Sequence, residues 1–320
     1  MKKYIDAGKV DTRSGFGAGL VIAGRENENV LALTADLKGS LKMGDFAKEF
    51  PERFIQCGIA ESNMVGVAAG LAITGKVPFI GSFAEFVTGR VYDQLRQEVA
   101  YGHTNVKIAS SHAGITLGED GATHQCNEDL ALMRTIPGMV VMCPSDDVEA
   151  RAAVRAAIEH DGPVYIRFGR AAVPVINDEN YKFELGKGVT MREGKDVTII
   201  ATGLMVARAL DAAKILEEKG ISTRVVNIHT IKPLDKDLVI AAAKETGKVV
   251  TAEEHSVIGG LGSAVSEFLA EEYPVPVIRL GVNDTFGKSG PALELLKIYG
   301  LDAENIVAKA KIALAASSCF

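Results

Sequence analysis

Short runs of β-branched residues alternate with alanine-rich stretches along most of this 320-residue chain. Such an alternation is typical of parallel sheets whose strands are joined by crossover helices. In the first half we predict strands at 30–37, 53–59, 77–83, 106–111, 139–145 and 163–169. Helices are predicted at 62–74, 84–101 and 146–159, the last with the segment SDD as its N-terminal cap. The fold class is therefore α/β.

A polar, turn-rich stretch at 174–194 interrupts this pattern. At roughly 100 to 200 residues per domain the length fits two domains, and we place the boundary in that stretch. Residues 1–178 and 190–320 are expected to form two doubly wound α/β domains. In the second we predict strands at 197–201, 223–228, 248–252 and 277–280, and helices at 206–219 and 260–272.

Charge and composition exclude several classes of protein. The 35 Lys and Arg residues against 41 Asp and Glu residues leave a net charge of −6 without long runs, which argues against binding to nucleic acid or an anionic membrane. No apolar stretch reaches the ~18 residues of a membrane span, and the N-terminal segment lacks the apolar core of a signal peptide, so we expect a cytoplasmic protein. Cys57, Cys126, Cys143 and Cys319 show no metal or CxxC spacing and are interpreted as reduced thiols.

A glycine-rich segment, HSVIGGLGSA at 255–264, suggests a phosphate-binding helix start. Its spacing is not G-x-G-x-x-G, and it does not belong to the first strand and helix of a domain. We therefore interpret these glycines as positions of close helix packing.

The densest polar segment is SSHAGITLGEDGATHQ at 110–125, which follows a predicted strand. Loops at the carboxyl ends of parallel strands commonly bind ligands. Glycines allow close backbone approach, so His112, Asp120 and His124 can converge on one small polar molecule. A surface loop whose histidines cap turns is the alternative, and the loop residues alone do not decide between them.

Several other residues have ordinary structural explanations when each is taken alone. Glu61 falls at the start of a predicted helix, where the helix dipole favours an acid by only ~0.3 to 1 kcal/mol. Phe83 and Phe86 in GSFAEF are explained as core residues, and Arg13 and Arg167 as solvated surface residues.

Seven segments follow one another along the chain: TADLKGS, CGIAESNM, GSFAEF, HAGITLGEDGATHQ, PSD, RFGR and FGKSGPALELLKIYGL. Together they resemble the C-terminal half of transketolase, and in particular the second subunit of transketolases that are split into two chains. The resemblance covers nearly the whole chain, and H-x5-GEDG-x-THQ is its most specific part. It implies a pyrimidine-binding domain for thiamine diphosphate at 1–178 and a transketolase C-terminal domain at 190–320.

The resemblance assigns four residues to the cofactor. Glu61 matches the catalytic glutamate that hydrogen-bonds a ring nitrogen of the cofactor's aminopyrimidine. Phe83 and Phe86 match the aromatic residues that pack against that ring. Asp36, in TADL, matches an acid near the cofactor rings.

The resemblance also assigns a substrate site. His112 and His124 match catalytic histidines that hydrogen-bond the sugar and shuttle protons, and Asp120 matches an aspartate that reads a substrate hydroxyl. A second set matches positions that hold the sugar phosphate, where a guanidinium supplies paired donors. These residues are Arg13, Ser40 and Arg167, with Arg90 and Arg170 as substitutes.

One family element is missing from this chain. Family members hold the diphosphate through Mg²⁺, bound by a GDG segment and an Asn about thirty residues later, because a hard dication needs oxygen ligands. The closest segments, HDGP at 160–163 and EDGA at 119–122, lack the first glycine. We therefore predict a partner, an N-terminal subunit that carries the GDG motif and the metal ligands, in an α2β2 assembly. Helices 62–74 and 84–101 are candidate interface elements.

The predicted reaction is transfer of a two-carbon ketol unit from a ketose phosphate to an aldose phosphate, as in the pentose phosphate pathway. One alternative is a 1-deoxy-xylulose-5-phosphate synthase, which shares CGIAE and uses pyruvate as its donor. A second is the β subunit of a 2-oxoacid dehydrogenase, which would lack His124 at this spacing. A non-catalytic paralogue has no physical need for Glu61, His112 and His124 together.

Overall fold

The computed structural model describes residues 7–316. Its strands are β1 (Lys9–Asp11), β2 (Val30–Thr34), β3 (Phe54–Gln56), β4 (Val77–Phe83), β5 (Lys107–Ser111), β6 (Val140–Met142), β7 (Val164–Arg167), β8 (Ala172–Pro174), β9 (Val189–Arg192), β10 (Val197–Ala201), β11 (Thr223–Asn227), β12 (Thr230–Lys232), β13 (Val249–Ser256) and β14 (Val277–Val282). Its α-helices are α1 (Thr12–Glu26), α2 (Gly44–Glu49), α3 (Glu61–Ile73), α4 (Ala84–Val87), α5 (Tyr92–Gln94), α6 (Asp129–Thr135), α7 (Asp147–Glu159), α8 (Met205–Glu217), α9 (Lys236–Thr246), α10 (Leu261–Glu272), α11 (Ala292–Ile298) and α12 (Ala303–Ala315).

The first large sheet has seven strands in the order β12-β6-β7-β5-β4-β2-β3. Its six strands from the first half of the chain are parallel, and β12, from the second half, pairs antiparallel with β6. All six predicted strands are present. Strand β4 has the predicted bounds, and the other five are shorter than predicted because the apolar runs extend beyond the paired residues. The predicted α/β fold is confirmed.

The second large sheet has the order β14-β13-β10-β11-β9, with β9 as an antiparallel edge strand. An apolar cluster extends from the first sheet to the second, and its members include Ile80, Val141, Ile200 and Val226. Burial of such a continuous core fixes the two sheets relative to one another. Whether the boundary falls between 178 and 190 stays a prediction.

The predicted helix 84–101 is wrong as a single element. The structure has α4, then a turn, then α5, and finally a π-helical segment at Leu95–Tyr101. Thr88 Oγ1 donates to Ala84 O at 2.6 Å, which competes with the regular backbone pattern, and Gly89 follows, a residue that weakens helices.

Helices α1, α2, α6, α9, α11 and α12 were not predicted. In α1 the sequence TRSGFGAGLVIAGRE contains four glycines, each of which lowers helix propensity. Packing explains two of them, because a Cβ at Gly15 would overlap the backbone of Asp147 in α7 and a Cβ at Gly17 would overlap Lys42.

The glycine-rich segment at 255–264 serves packing, as the sequence suggested. The Glu253 carboxylate accepts the backbone N–H groups of Leu261 at 2.7 Å and Gly262 at 2.8 Å. A Cβ at Gly262 would also press on Thr251. The start of α10 is therefore capped from within the chain.

Two further sequence predictions concern thiols and membranes. Cys57, Cys126 and Cys143 are free thiols, and Cys319 lies outside the described residues. None of the helices within residues 7–316 has the length and apolar character needed to cross a bilayer.

Candidate active site

An aromatic cluster lies where β4 and β5 end, at one edge of the first sheet. Phe83 ends β4 and Phe86 lies in α4, and their stacked rings have centroids 5.8 Å apart. The His112 ring stacks on Phe83 at 3.9 Å between centroids. The His124 ring meets Phe86 edge-on at 5.5 Å. The structure thus brings four predicted site residues into one cluster.

Glu61 is connected to this cluster through an arginine. It is the first residue of α3, and it is only 4% exposed. Arg90 Nη1 donates to Glu61 Oε1 at 3.0 Å, and the Arg90 guanidinium lies 4.1 Å from the ring centroid of Phe86. A continuous set of contacts therefore joins the carboxylate, the cation and the aromatic rings.

We call residues 112–125 the substrate loop. His112 begins it with a backbone φ of 60°, a left-handed conformation that is uncommon outside glycine. Its Nδ1 lies 2.7 Å from Ser111 Oγ. Burial, together with the positive charges of Arg13 and Arg170, lowers the pKa of His112 to about 3. Its imidazole is therefore neutral near pH 7 and can both donate and accept a hydrogen bond.

The far half of the substrate loop is more open. His124 is half-buried, and its Nδ1 lies 2.9 Å from Thr123 Oγ1. Asp120 lies exposed at the tip of the loop. Gln125 Nε2 donates to Ile115 O at 3.1 Å and to Gly118 O at 3.3 Å, so the amide closes the loop on itself.

Two arginines and a serine form a cationic cluster near the start of the substrate loop. Arg13 Nη1 donates to Ser40 O at 2.9 Å, and its Nη2 donates to Arg170 O at 3.2 Å. Arg170 Nη1 donates to Leu117 O at 2.6 Å and pairs with Glu119 at 2.5 Å. Since both guanidinium groups act on the pKa of His112, this cluster adjoins the histidine.

Arg167 lies elsewhere, and here the sequence assignment needs correction. Its side chain is 5% exposed, and Nε donates to Asp129 Oδ2 at 2.8 Å while Nη2 donates to Glu254 O at 2.8 Å. A guanidinium held in this way in the core cannot reach a solvated phosphate. Arg170, which the sequence offered only as a substitute, takes its place beside Arg13.

Asp36 follows β2 at the same edge of the sheet. It is exposed and has a backbone φ of 61°. Its backbone N–H donates to Gln56 Oε1 at 2.7 Å, so an amide from the end of β3 fixes the loop in which Asp36 sits. Neither Gln56 nor the pairing of Arg90 with Glu61 was predicted, although both flank the quoted motifs.

One cluster in residues 7–316 could hold a metal ion: the side chains of Glu85, Cys126 and Glu128, whose ligand atoms lie within 4.8 Å of one another. Burial raises the pKa of the Cys126 thiol well above its ordinary value. A protonated thiol is a poor ligand for a hard dication such as Mg²⁺, which prefers oxygen. This cluster therefore does not replace the missing GDG segment.

Comparison with known proteins matches both halves of the chain. The transketolase pyrimidine binding domain matches residues 8–175, and the transketolase C-terminal domain matches residues 186–306. A putative transketolase C-terminal section from Methanocaldococcus jannaschii is 50% identical over 92% of this chain and 93% of its own length. A 6-deoxy-6-sulfo-D-fructose transketolase subunit from Clostridium sp. is 49% identical over 88% of each chain.

Among solved structures, a split gene transketolase described as an inactive β4 tetramer is 52% identical and superposes with a TM-score of 0.89. The match covers 96% of this chain and 99% of that chain. The fold and the family matches together define an α/β subunit whose first domain is of the pyrimidine binding class. The chain belongs to the transketolase family, and it corresponds to the C-terminal section of members that are split into two chains.

Proposed function

We propose that this chain binds the aminopyrimidine half of thiamine diphosphate and the sugar substrates of a two-chain transketolase. The reaction is transfer of a two-carbon ketol unit from a ketose phosphate to an aldose phosphate. The observation that carries the proposal is the set of contacts from Glu61 through Arg90 to Phe86, Phe83 and His112.

The residues of this edge fit the heterocycle. Phe83 and Phe86 offer partly exposed rings, on which a flat pyrimidine can pack. The hydrogen bond to Arg90 uses Oε1 of Glu61, which leaves Oε2 for a ring nitrogen of the cofactor. When bound, thiamine diphosphate supplies a nucleophilic carbon that cleaves a carbon–carbon bond of the donor sugar. Asp36, exposed at the same edge, is assigned to the surroundings of the cofactor rings.

Three residues of the substrate loop are assigned to the sugar. His112 is neutral near pH 7 because its pKa is lowered to about 3, so it acts there as a hydrogen-bonding group. His124, packed edge-on against Phe86, is assigned to proton movement at the sugar oxygens, a role suited to imidazole. Asp120, exposed at the tip of the loop, is assigned to a substrate hydroxyl.

The cationic cluster is assigned to the anionic end of the sugar. Arg13 and Arg170 can present paired donors to a phosphate, and Ser40 adds a hydroxyl nearby. The relative from Clostridium sp. is named for a sulfonated sugar, and a sulfonate is also a tetrahedral oxyanion. We assign a phosphate here, as the resemblance to transketolases implies. In the free chain each guanidinium is paired with a carboxylate, Arg13 with Asp11 at 3.3 Å and Arg170 with Glu119 at 2.5 Å.

The metal half of the cofactor is assigned to a partner. The chain contains no GDG segment, so Mg²⁺ and the diphosphate are placed on an N-terminal subunit that carries it. We propose an α2β2 heterotetramer that acts in the cytoplasm within the pentose phosphate pathway. Exposed apolar residues on and beside the proposed interface helices support the assembly: Ile59, Val67, Ile73 and Tyr101. The inactivity of the β4 relative is consistent with a need for the partner.

The test is reconstitution with the N-terminal subunit, thiamine diphosphate and Mg²⁺. Fructose 6-phosphate and pyruvate are supplied as alternative donors, with glyceraldehyde 3-phosphate as the acceptor. We expect ketol transfer from the ketose phosphate in the mixture and none from either subunit alone. If the complex used pyruvate and not fructose 6-phosphate as the donor, the chain would instead be assigned to the 1-deoxy-xylulose-5-phosphate synthase reaction.

A further inference from the structure

Strand β13 carries two consecutive buried carboxylates that serve different parts of the molecule. Glu253 is 0% exposed and Glu254 is 4% exposed. Successive side chains of a strand point to opposite faces. Glu253 accordingly caps α10 inside the second half of the chain. Glu254 instead contacts the first half of the chain, at the substrate loop.

The contact of Glu254 lies in the middle of that loop. Its Oε1 accepts the backbone N–H of Thr116 at 2.6 Å in a buried setting. A Cβ at Gly114, which has a φ of 79°, would overlap the Glu254 carboxyl group. The loop backbone therefore packs directly against the Glu254 carboxyl group. The contact at Thr116 lies four residues after His112 and four residues before Asp120.

The same residue is connected to the strand that leads into the loop. Arg167 donates to Glu254 O at 2.8 Å and to Asp129 Oδ2 at 2.8 Å. Tyr165 OH lies 2.7 Å from Asp129 Oδ2 and 2.8 Å from Ser110 Oγ. This buried network reaches the end of β5, two residues before His112.

The second half of the chain also holds the far end of the loop. Gln125 Nε2 donates to Lys288 O at 3.0 Å. A Cβ at Gly121 would overlap the hydroxyl of Ser289, and one at Gly118 would lie 3.3 Å from Gly290 O. The substrate loop is thus held at its start, middle and end by contacts that depend on residues after 250.

We propose that Glu254 is a positioning residue through which the C-terminal domain holds the substrate loop in the geometry that reads the donor sugar. This inference rests on the proposed function, since it concerns the same sugar site. A hydrogen bond from a buried N–H to a carboxylate is stronger than one between neutral groups. Its removal would leave the Thr116 N–H unsatisfied and free the loop to shift.

The test compares Glu254→Ala and Glu254→Gln with Glu253→Ala in the complex reconstituted with the partner subunit. Glutamine keeps an oxygen that can accept the Thr116 N–H, whereas alanine does not. Glu253→Ala is the matched control, because it removes an equally buried carboxylate from the same strand without touching the loop. The readouts are kcat/KM for fructose 6-phosphate and sedoheptulose 7-phosphate, the affinity for thiamine diphosphate, and Tm.

For Glu254→Ala we expect kcat/KM to fall about 30-fold, since small misplacements of substrate-binding groups have effects of up to ~100-fold. The ratio between the two donors should also change, and cofactor affinity should stay within twofold of wild type. Glu254→Gln should recover most of the loss. Glu253→Ala should lower Tm but keep the donor ratio of wild type.

Two results would overturn the inference. One is a donor ratio and kcat/KM in Glu254→Ala within threefold of wild type. If that variant fails to assemble, the corresponding result is a Glu254→Gln complex whose kcat/KM falls by about 30-fold or more, since glutamine keeps the acceptor for the Thr116 N–H. The other is a loss in Glu253→Ala equal to that in Glu254→Ala, which would make the effect one of domain stability. Failure of the proposed function is distinguishable, because the wild-type complex would then transfer no ketol unit.

Discussion

Two polar clusters of this molecule differ in whether their charged groups are buried and paired within the chain. Around Glu61 the chain supplies an acid, aromatic rings and the half-exposed Arg90, which together form one side of a cleft. Around Arg167 the guanidinium and its ion-pair partner Asp129 are both buried, and Arg167 also donates to the Glu254 backbone carbonyl. Buried charges must be paired for a chain to fold, whereas a partly exposed cluster can receive a ligand. The first cluster is therefore the one at which we propose that a ligand binds.

The largest expected effect of a single substitution is at Glu61. Glu61→Gln should lower kcat of the reconstituted complex by about 10³-fold, because a positioned acid–base group contributes roughly 10² to 10⁴. Assembly of the complex, measured by analytical ultracentrifugation, should not change. Glu49→Gln breaks a surface pair with Arg25 at 2.7 Å and serves as the control with normal turnover. Retained activity in Glu61→Gln would remove this residue from the mechanism.

In the cluster around Arg167 the largest expected effect of a substitution is on the stability of the fold. Arg167→Leu leaves Asp129 buried without its ion-pair partner and should lower the free energy of unfolding by about 3 to 5 kcal/mol. Arg25→Leu removes an exposed pair, which solvent screens, and should change the free energy of unfolding far less. Urea denaturation of the isolated chain measures both. Equal effects of the two substitutions would show that the buried pair of Arg167 with Asp129 stabilises the fold no more than an exposed pair does.

The two clusters should also respond to pH with opposite signs. Burial raises the pKa of Glu254 to about 6, so its protonated form stabilises the fold at low pH, and this contribution is lost as pH rises through about 6. The pKa of His112 is lowered to about 3, so its contribution is present above its ordinary value near 6.5 and is lost as pH falls.

Unfolding of wild type, Glu254→Gln and His112→Asn at several pH values from 4.5 to 7 measures these signs. With rising pH the stability of wild type relative to Glu254→Gln should decline, by about 2 kcal/mol. Relative to His112→Asn it should increase. Parallel curves for all three proteins would contradict both assignments.

The smallest expected effect is at the cationic cluster. Arg170→Ala should raise KM for fructose 6-phosphate about tenfold, which corresponds to about 1.4 kcal/mol, because one of two guanidinium donors is lost. KM for unphosphorylated fructose should not change. Arg155→Ala, which removes a surface pair with Glu159, is the control. An equal rise in KM for both sugars would mean that Arg170 does not contact the phosphate.

Much of the fold and part of the site could be predicted from sequence. Most strands of the first sheet are recognisable because they are short buried apolar runs, as β2 and β4 are, whereas the edge strand β12 was not predicted. Phe83, Phe86, His112 and His124 lie in motifs next to strand ends, and strand ends of a parallel sheet converge. Helix α1 was hidden because its glycines oppose helix formation locally, and only long-range contacts explain them, such as those of Gly15 with α7 and of Gly17 with Lys42.

Long-range pairing explains what the sequence did not reveal. Arg167 and Arg170 lie three residues apart in RFGR, and only the end of β7 and its contact with β13 decide which of them is buried. The role of Glu254 is likewise hidden, although two adjacent acids in an apolar strand are an unusual signal. The pairing of Arg90 with Glu61 depends on the break after α4, which periodicity did not predict.

The claim that this chain holds half of a cofactor site is tested most directly by calorimetric titration of thiamine diphosphate in the presence of Mg²⁺. The titration is carried out on this chain, on the N-terminal subunit and on an equimolar mixture. We expect tight, Mg²⁺-dependent binding only in the mixture. Binding of equal tightness to this chain alone would contradict the account.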